Sequence, residues 1–187
     1  MGAGMKIIAT PLVDLKVVES SSHHDDRGAF MRLFCADDLQ AVVGHRQIAQ
    51  INHSRTNHVG AVRGLHFQHP PHAEMKMIRC LRGRAWDVAV DLRAGSPTFL
   101  NWYAQELTPD KATMMVIPEG FAHGFQALEP ETELLYLHTA FYCPPSEGGL
   151  RHDDPRLAIG WPLPPRDLSR RDIAHPLLCA DFPGITL

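Results

Sequence analysis

Between Gly60 and Gly83 the chain reads GAVRGLHFQHPPHAEMKMIRCLRG, two short apolar runs bounded by glycine and separated by a proline pair. Runs of this length with this punctuation are strand-sized rather than helix-sized. Alternation along a strand puts His66 and Gln68 on one face of the first run, and Lys76, Ile78 and Cys80 on one face of the second. With both faces turned inward, an imidazole, an amide and an ammonium meet in one cavity. An ammonium in an apolar cavity demands an anion or a substrate oxygen as its partner.

The remaining pattern agrees with a layered β protein. Residues 47–54, 61–68, 75–81, 85–92, 102–107, 113–117, 124–128 and 133–141 read as short strands. Turn signals at Arg82-Gly83, Ala94-Gly95-Ser96-Pro97 and Pro109-Asp110 separate them. Ahead of them, residues 5–18 form a strand or two with Pro11 near an edge, 20–28 (SSSHHDDRG) a polar turn, and 29–34 a strand. Asp37 or Asp38 is expected to cap a short helix that runs through Val43 and stops at Gly44. After Tyr142 the proline-rich tail is expected to lie over the barrel as ordered loop and short helix, anchored by Trp161, Leu163 and Leu177. The fold class is all-β: a double-sheet jelly roll with few helices, one domain over residues 1–187.

Composition narrows the partners. A formal net charge of -3 argues against a nucleic-acid surface, and no apolar run reaches membrane-spanning length. The amino terminus lacks the basic-then-apolar order of a signal peptide, and its first four residues read as a native extension or a cloning remnant. Cys35, Cys80, Cys143 and Cys179 are scattered, with no CxxC, which suits reduced thiols in a cytoplasmic protein. Most of the twelve histidines stand singly in polar stretches and read as solvated or hydrogen-bonded rings.

The spacing of the central stretch is similar to the first motif of cupin barrels, G-x5-H-x-H-x(3,4)-E-x6-G. Gly60, His66, Lys76 and Gly83 occupy its positions; Pro118, Gly120 and His123 echo the second motif, with Ala127 where an Asn is usual. Gln68 stands in place of the second metal-binding His and Lys76 in place of the Glu. Imidazole and carboxylate together hold divalent ions, whereas Lys offers only donors. A cupin-type barrel without a metal or other cofactor is therefore expected.

A longer ordered series of motifs resembles the dTDP-4-dehydrorhamnose 3,5-epimerases. It runs through Asp26-Arg27-Gly28, Gln50-Ile51-Asn52-His53-Ser54, Arg63-Gly64-Leu65-His66-Phe67-Gln68, Asp87-Val88-Ala89-Val90-Asp91 and Ser96-Pro97-Thr98. It continues through residues 117–125 (IPEGFAHGF), Tyr142-Cys143-Pro144, Asp154-Pro155 and Leu168-Ser169-Arg170-Arg171-Asp172. The resemblance implies a small-molecule nucleotide-sugar substrate, a dTDP-4-keto-6-deoxyhexose whose C3 and C5 protons flank a ketone, and a homodimer in which an N-terminal strand crosses to the partner.

It also implies roles. His66 is the base, and an ordinary imidazole, titrating at about 6.5, suits reversible proton transfer. Asp172 orients that ring, Lys76 stabilises the enolate oxygen, and Tyr136 returns a proton to the opposite face. Arg27 and Arg63 match diphosphate contacts, since planar guanidinium suits phosphate oxygens. Tyr142 matches a tyrosine stacked on the thymine. Phe30, Gln50, Asn52, His123, Glu147 and Arg171 match further substrate contacts. The chain departs from the family pattern at Arg32, where a Glu is common, at Leu137 and His138, where a basic and a small polar residue are common, and at Phe141, where a tyrosine is usual. These departures leave room for a different sugar or for inversion at one carbon.

Overall fold

The turn signals delimit strands that the chain distributes between two main sheets, seen in a computed structural model that describes residues 4–187. The elements are β1 (Lys6–Ala9), β2 (Lys16–Glu19), β3 (Ser22–Asp25), β4 (Gly28–Met31), α1 (Gln40–Val43), β5 (Gln50–Thr56), β6 (Val62–Gln68) and β7 (Lys76–Arg82). There follow β8 (Ala85–Asp91), β9 (Trp102–Leu107), β10 (Thr113–Ile117), β11 (Phe121–Ala127), β12 (Thr132–His138), β13 (Glu147–Gly149) and α2 (Arg170–Ala174). One sheet has the order β1-β2-β10-β7-β12-β5 and the other β13-β6-β11-β8-β9, while β3 and β4 form a separate two-stranded ribbon. Neighbours within each sheet pair antiparallel, the arrangement of a double-sheet jelly roll.

Strict alternation on β7 explains the layering. Ile78 and Cys80 point between the sheets, where with Met115 and Leu134 they meet Ala89, Leu107, Phe121 and Phe125 of the other sheet. Met77 points outward and packs with Met114, Val116 and Leu137 beneath Leu39 and Val43 of the α1 region. On the outside of the second sheet, Leu65, Phe67, Val88 and Val90 are covered by Leu150, Leu157 and Ile185. Both sheets are thus buried on two faces, and the interior between them is apolar at one end only.

Several expectations are corrected. The stretch expected as a polar turn contains β3, paired with β4 in the register Asp25↔Gly28 to Ser22↔Met31. Its residues are polar and mostly exposed, so backbone pairing forms it without any apolar alternation to reveal it. Leu39, not an aspartate, is the N-cap of α1 and offers no side-chain bond, although Gly44 does end the helix with φ 61°. Asp38 instead accepts from the Met5 N–H at 3.3 Å and from Arg32 at 3.0 Å. Strand β11 starts at Phe121, three residues before the expected Gly124, and β12 ends at His138. In the tail Trp161 packs on the barrel as expected, but Leu177 is exposed, and Leu178, Phe182 and Ile185 are the neighbouring anchors.

Candidate active site

At the other end of the sandwich the space between the sheets opens into a cavity of about 560 Å³, lined from both sides. Strands β5, β7 and β12 supply Gln50, Asn52, Lys76, Tyr136 and His138; β6, β11 and β13 supply Arg63, His66, His123 and Glu147. Tyr142, Arg171 and Asp172 close the rim.

A defect in strand pairing aims two of these residues. Arg63 and His66 are an odd number of positions apart, and strict alternation would send them to opposite faces. On β6, however, the register passes from His66↔His123 to Arg63↔Phe125, three steps against two on β11. This bulge turns both side chains into the cavity. It is centred on Gly64, whose φ is +108° and where a Cβ would stand 2.6 Å from the His123 carbonyl oxygen and 2.7 Å from the Gly124 Cα. Gly64→Ala is therefore expected to destabilise the fold by on the order of 3 kcal/mol and to misdirect His66. Urea unfolding together with a turnover assay checks both effects.

The His66 ring is held from the tail. Ser169 caps α2 by accepting from the Asp172 N–H at 3.0 Å, which presents the Asp172 side chain to β6. Its Oδ1 lies 2.7 Å from His66 Nε2, and its Oδ2 accepts from the Gly64 N–H at 3.3 Å. Burial pushes the Asp172 carboxyl up, but hydrogen bonds from His66, Gly64 and Ser169 outweigh it and leave the pKa below the ordinary value. Facing an ionised carboxylate, Nε2 carries the ring proton and donates it, which leaves Nδ1 with the basic lone pair.

The Arg171 guanidinium, a donor only, stands 3.0 Å from the same Nε2 and makes no hydrogen bond to it in this tautomer. It is held by Glu147 at 2.8 Å, and Glu147 also accepts from the Tyr142 hydroxyl at 2.9 Å. His66, Asp172 and His175 bring donor atoms of metal-binding type within 4.8 Å of one another. The Arg171 guanidinium sets a fixed positive charge against a cation at that point. Gln68, at the cupin metal-ligand position, spends its amide on the loops, donating to the His72 and Phe141 carbonyls and accepting from the Cys143 N–H.

On the facing sheet Lys76 is buried, with Nζ 3.2 Å from the His66 carbonyl oxygen and 3.4 Å from Glu74 Oε1. Burial lowers its pKa and Glu74 partly offsets this. The cavity around Lys76 is thus not apolar, because a carboxylate in the loop before β7 already answers the ammonium. Tyr136 shares a hydrogen bond of 2.9 Å with Ser54, and burial pushes its phenol well above the ordinary value, so the hydroxyl stays protonated. His123 Nε2 lies 2.7 Å from Asp87 Oδ1, and burial raises the Asp87 pKa. His138 Nδ1 lies 3.0 Å from Glu74 Oε2.

Arg27 and Phe30, expected as substrate contacts, do not join this group within the single chain. They lie on the β3–β4 ribbon, Arg27 paired with Asp25 at 2.5 Å and Phe30 73% exposed. Ser54, Glu74, Asp87 and His138 carry no sequence signal for the contacts they make here. Ser54 and Asp87 lie inside motifs, but only tertiary contact shows that they partner Tyr136 and His123.

Comparison with known proteins gives the same picture. The family described as dTDP-4-dehydrorhamnose 3,5-epimerase matches residues 9–180. The dTDP-4-dehydrorhamnose 3,5-epimerase of Salmonella typhimurium is 39% identical over 178 residues, covering 93% of this chain and 96% of its own. The crystal structure of dTDP-6-deoxy-D-glucose-3,5-epimerase from Legionella pneumophila, in complex with dTDP-4-keto-L-rhamnose, superposes with a TM-score of 0.89 at 37% identity, covering 97% of this chain and 98% of that one. The structure of the Bacillus anthracis dTDP-4-dehydrorhamnose 3,5-epimerase, with TDP and PPi bound, gives 0.90 at 38% identity, covering 94% and 100%. In sequence and in fold alike, the chain belongs to the dTDP-4-dehydrorhamnose 3,5-epimerase family.

Proposed function

We propose that this protein is an isomerase that epimerises a dTDP-linked 4-keto-6-deoxyhexose at C3 and C5. The observation that carries the reading is the placement of the His66–Asp172 pair on one sheet side of the cavity and of Lys76 and Tyr136 on the other. Ketone-flanking C–H bonds are the acidic ones in such a sugar. His66 Nδ1 takes the proton, the bonding pair passes to the ketone oxygen as an enolate, and Lys76 receives the charge. Asp172 steadies the imidazolium, as the carboxylate of a hydrolase triad does. A protonated Tyr136 then delivers a proton to the other face, which inverts the carbon.

Arg63, Gln50 and Asn52 are assigned to the nucleotide diphosphate end, and His123, Tyr142, Glu147 and Arg171 to further substrate contacts. The exposed Arg27–Phe30 ribbon, distant from its own cavity, supports a homodimer in which it reaches the partner's site. Free cysteines at all four positions, and among the described residues no helix long and apolar enough to cross a membrane, fit a cytoplasmic enzyme. Residues 1–187 act as one catalytic domain in this reading.

The test is proton NMR of dTDP-4-keto-6-deoxyglucose with the enzyme in heavy water. The C3 and C5 proton signals are expected to disappear as deuterium enters; persistence of both would overturn the assignment. Tyr136→Phe is expected to keep solvent exchange on the His66 face while losing most inversion, a roughly 10²–10⁴-fold loss typical of a missing general acid.

A further inference from the structure

Glu74, Lys76 and His138 form a buried unit inside the cavity that the proton-transfer scheme does not use as a whole. Lys76 and His138 are register partners across β7 and β12, so their side chains leave adjacent strands side by side. Glu74 reaches between them, with Oε2 3.0 Å from His138 Nδ1 and Oε1 3.4 Å from Lys76 Nζ. Charge-assisted N–H···O bonds close to about 2.7–2.9 Å when nothing holds the partners apart. The contact to the full positive charge is therefore the looser of the two. The His138 ring cannot follow Glu74 inward, because it is stacked on Tyr136 with centroids 6.1 Å apart and planes 14° apart.

We propose that His138 is a positioning residue of the reaction: by fixing the Glu74 carboxylate at its own Nδ1, it keeps that carboxylate from closing on Lys76 and leaves the ammonium free for the substrate's ketone oxygen. The proposal rests on the reading of Lys76 as the cation that receives the enolate charge. A lysine ammonium has three donors. One lies 3.2 Å from the His66 carbonyl, which ties the cation to the residue that supplies the base, and Glu74 engages another weakly. A tight Glu74–Lys76 pair would cancel the field at the place where negative charge develops. His138 thus sets how much of the Lys76 charge the substrate meets. Its stacking on Tyr136 places the proton donor and the cation in one frame.

The test compares His138→Leu, Glu74→Gln in the His138→Leu background, and His138→Asn, with thermal unfolding followed for each. His138→Leu lets the carboxylate collapse on Lys76, and kcat is expected to fall about tenfold with KM little changed, less than the 10²–10³ of losing a donor outright. Adding Glu74→Gln removes the quenching charge and is expected to restore kcat to within about threefold of wild type, a strong positive coupling between neighbours. His138→Asn, which keeps a donor toward Glu74, is expected to recover most of the loss. Should His138→Leu not fold, His138→Ser carries the same comparison. A double variant no faster than the single, or a single variant as fast as wild type, would overturn the proposal. Failure of the wild type to exchange protons would instead strike the underlying reading of Lys76, so the two outcomes are distinct.

Discussion

Replacing His66 by asparagine is expected to stop deuterium from entering the sugar at either carbon. The asparagine amide can still donate toward Asp172 Oδ1, which now lies 2.7 Å from the imidazole, so that carboxylate keeps a partner. What disappears is the Nδ1 lone pair, the base of the proposed reaction. Loss of a general base typically costs about 10²–10⁴-fold. In the proposed reaction the same group serves both carbons, so exchange at C3 and C5 is expected to fall together. The NMR signals of both positions report it, and unequal loss at the two carbons would show that a second base works in the cavity. His123 also lines the cavity, but its Nε2 is taken up by Asp87 and it is 5% exposed.

Lys76→Met is expected to lower kcat by about 10²–10³, or roughly 2.7–4 kcal/mol, the loss found when one donor to a developing oxyanion is removed. Methionine is close to the lysine stem in length and volume, so the buried position stays filled. The effect belongs in kcat more than KM, because the full charge on the ketone oxygen exists only on the way to the enolate. Glu74 loses its cation in this variant but keeps His138 at 3.0 Å, which limits the cost of its burial. Steady-state rates with the coupled sugar product separate the two constants. A variant with normal kcat would remove Lys76 from the mechanism.

How much of this was legible beforehand depends on the element. The two strands around His66 and Lys76 were readable, because period-two alternation on a buried strand leaves no choice of face once one residue is placed. Ile78 and Cys80 lie between the sheets beside Lys76 as that rule requires. The joint orientation of Arg63 and His66 was not readable from alternation, since it depends on a bulge that local pattern does not announce. Nor was Glu74: a polar residue in a loop carries no signal of burial, and its contacts with Lys76 and His138 are tertiary. Strand β3 escaped because its residues are polar and mostly exposed on both faces. There, backbone hydrogen bonds act without the hydrophobic pattern that betrays strands elsewhere. Asp172 was placed by motif resemblance, and the physical reason for its position, a capped five-residue helix, became visible only in the fold.

In the proposed mechanism a buried ammonium faces a histidine–carboxylate pair across one cavity and takes the charge of an enolate. A crystal structure of the protein with a dTDP-4-keto-6-deoxyhexose bound tests it most directly. The ketone oxygen is expected within hydrogen-bond reach of Lys76 Nζ, with C3 or C5 presented to His66 Nδ1 and the Tyr136 hydroxyl on the other face of the ring. A sugar seated with its ketone turned away from Lys76, or with His66 and Tyr136 on the same face, would contradict it.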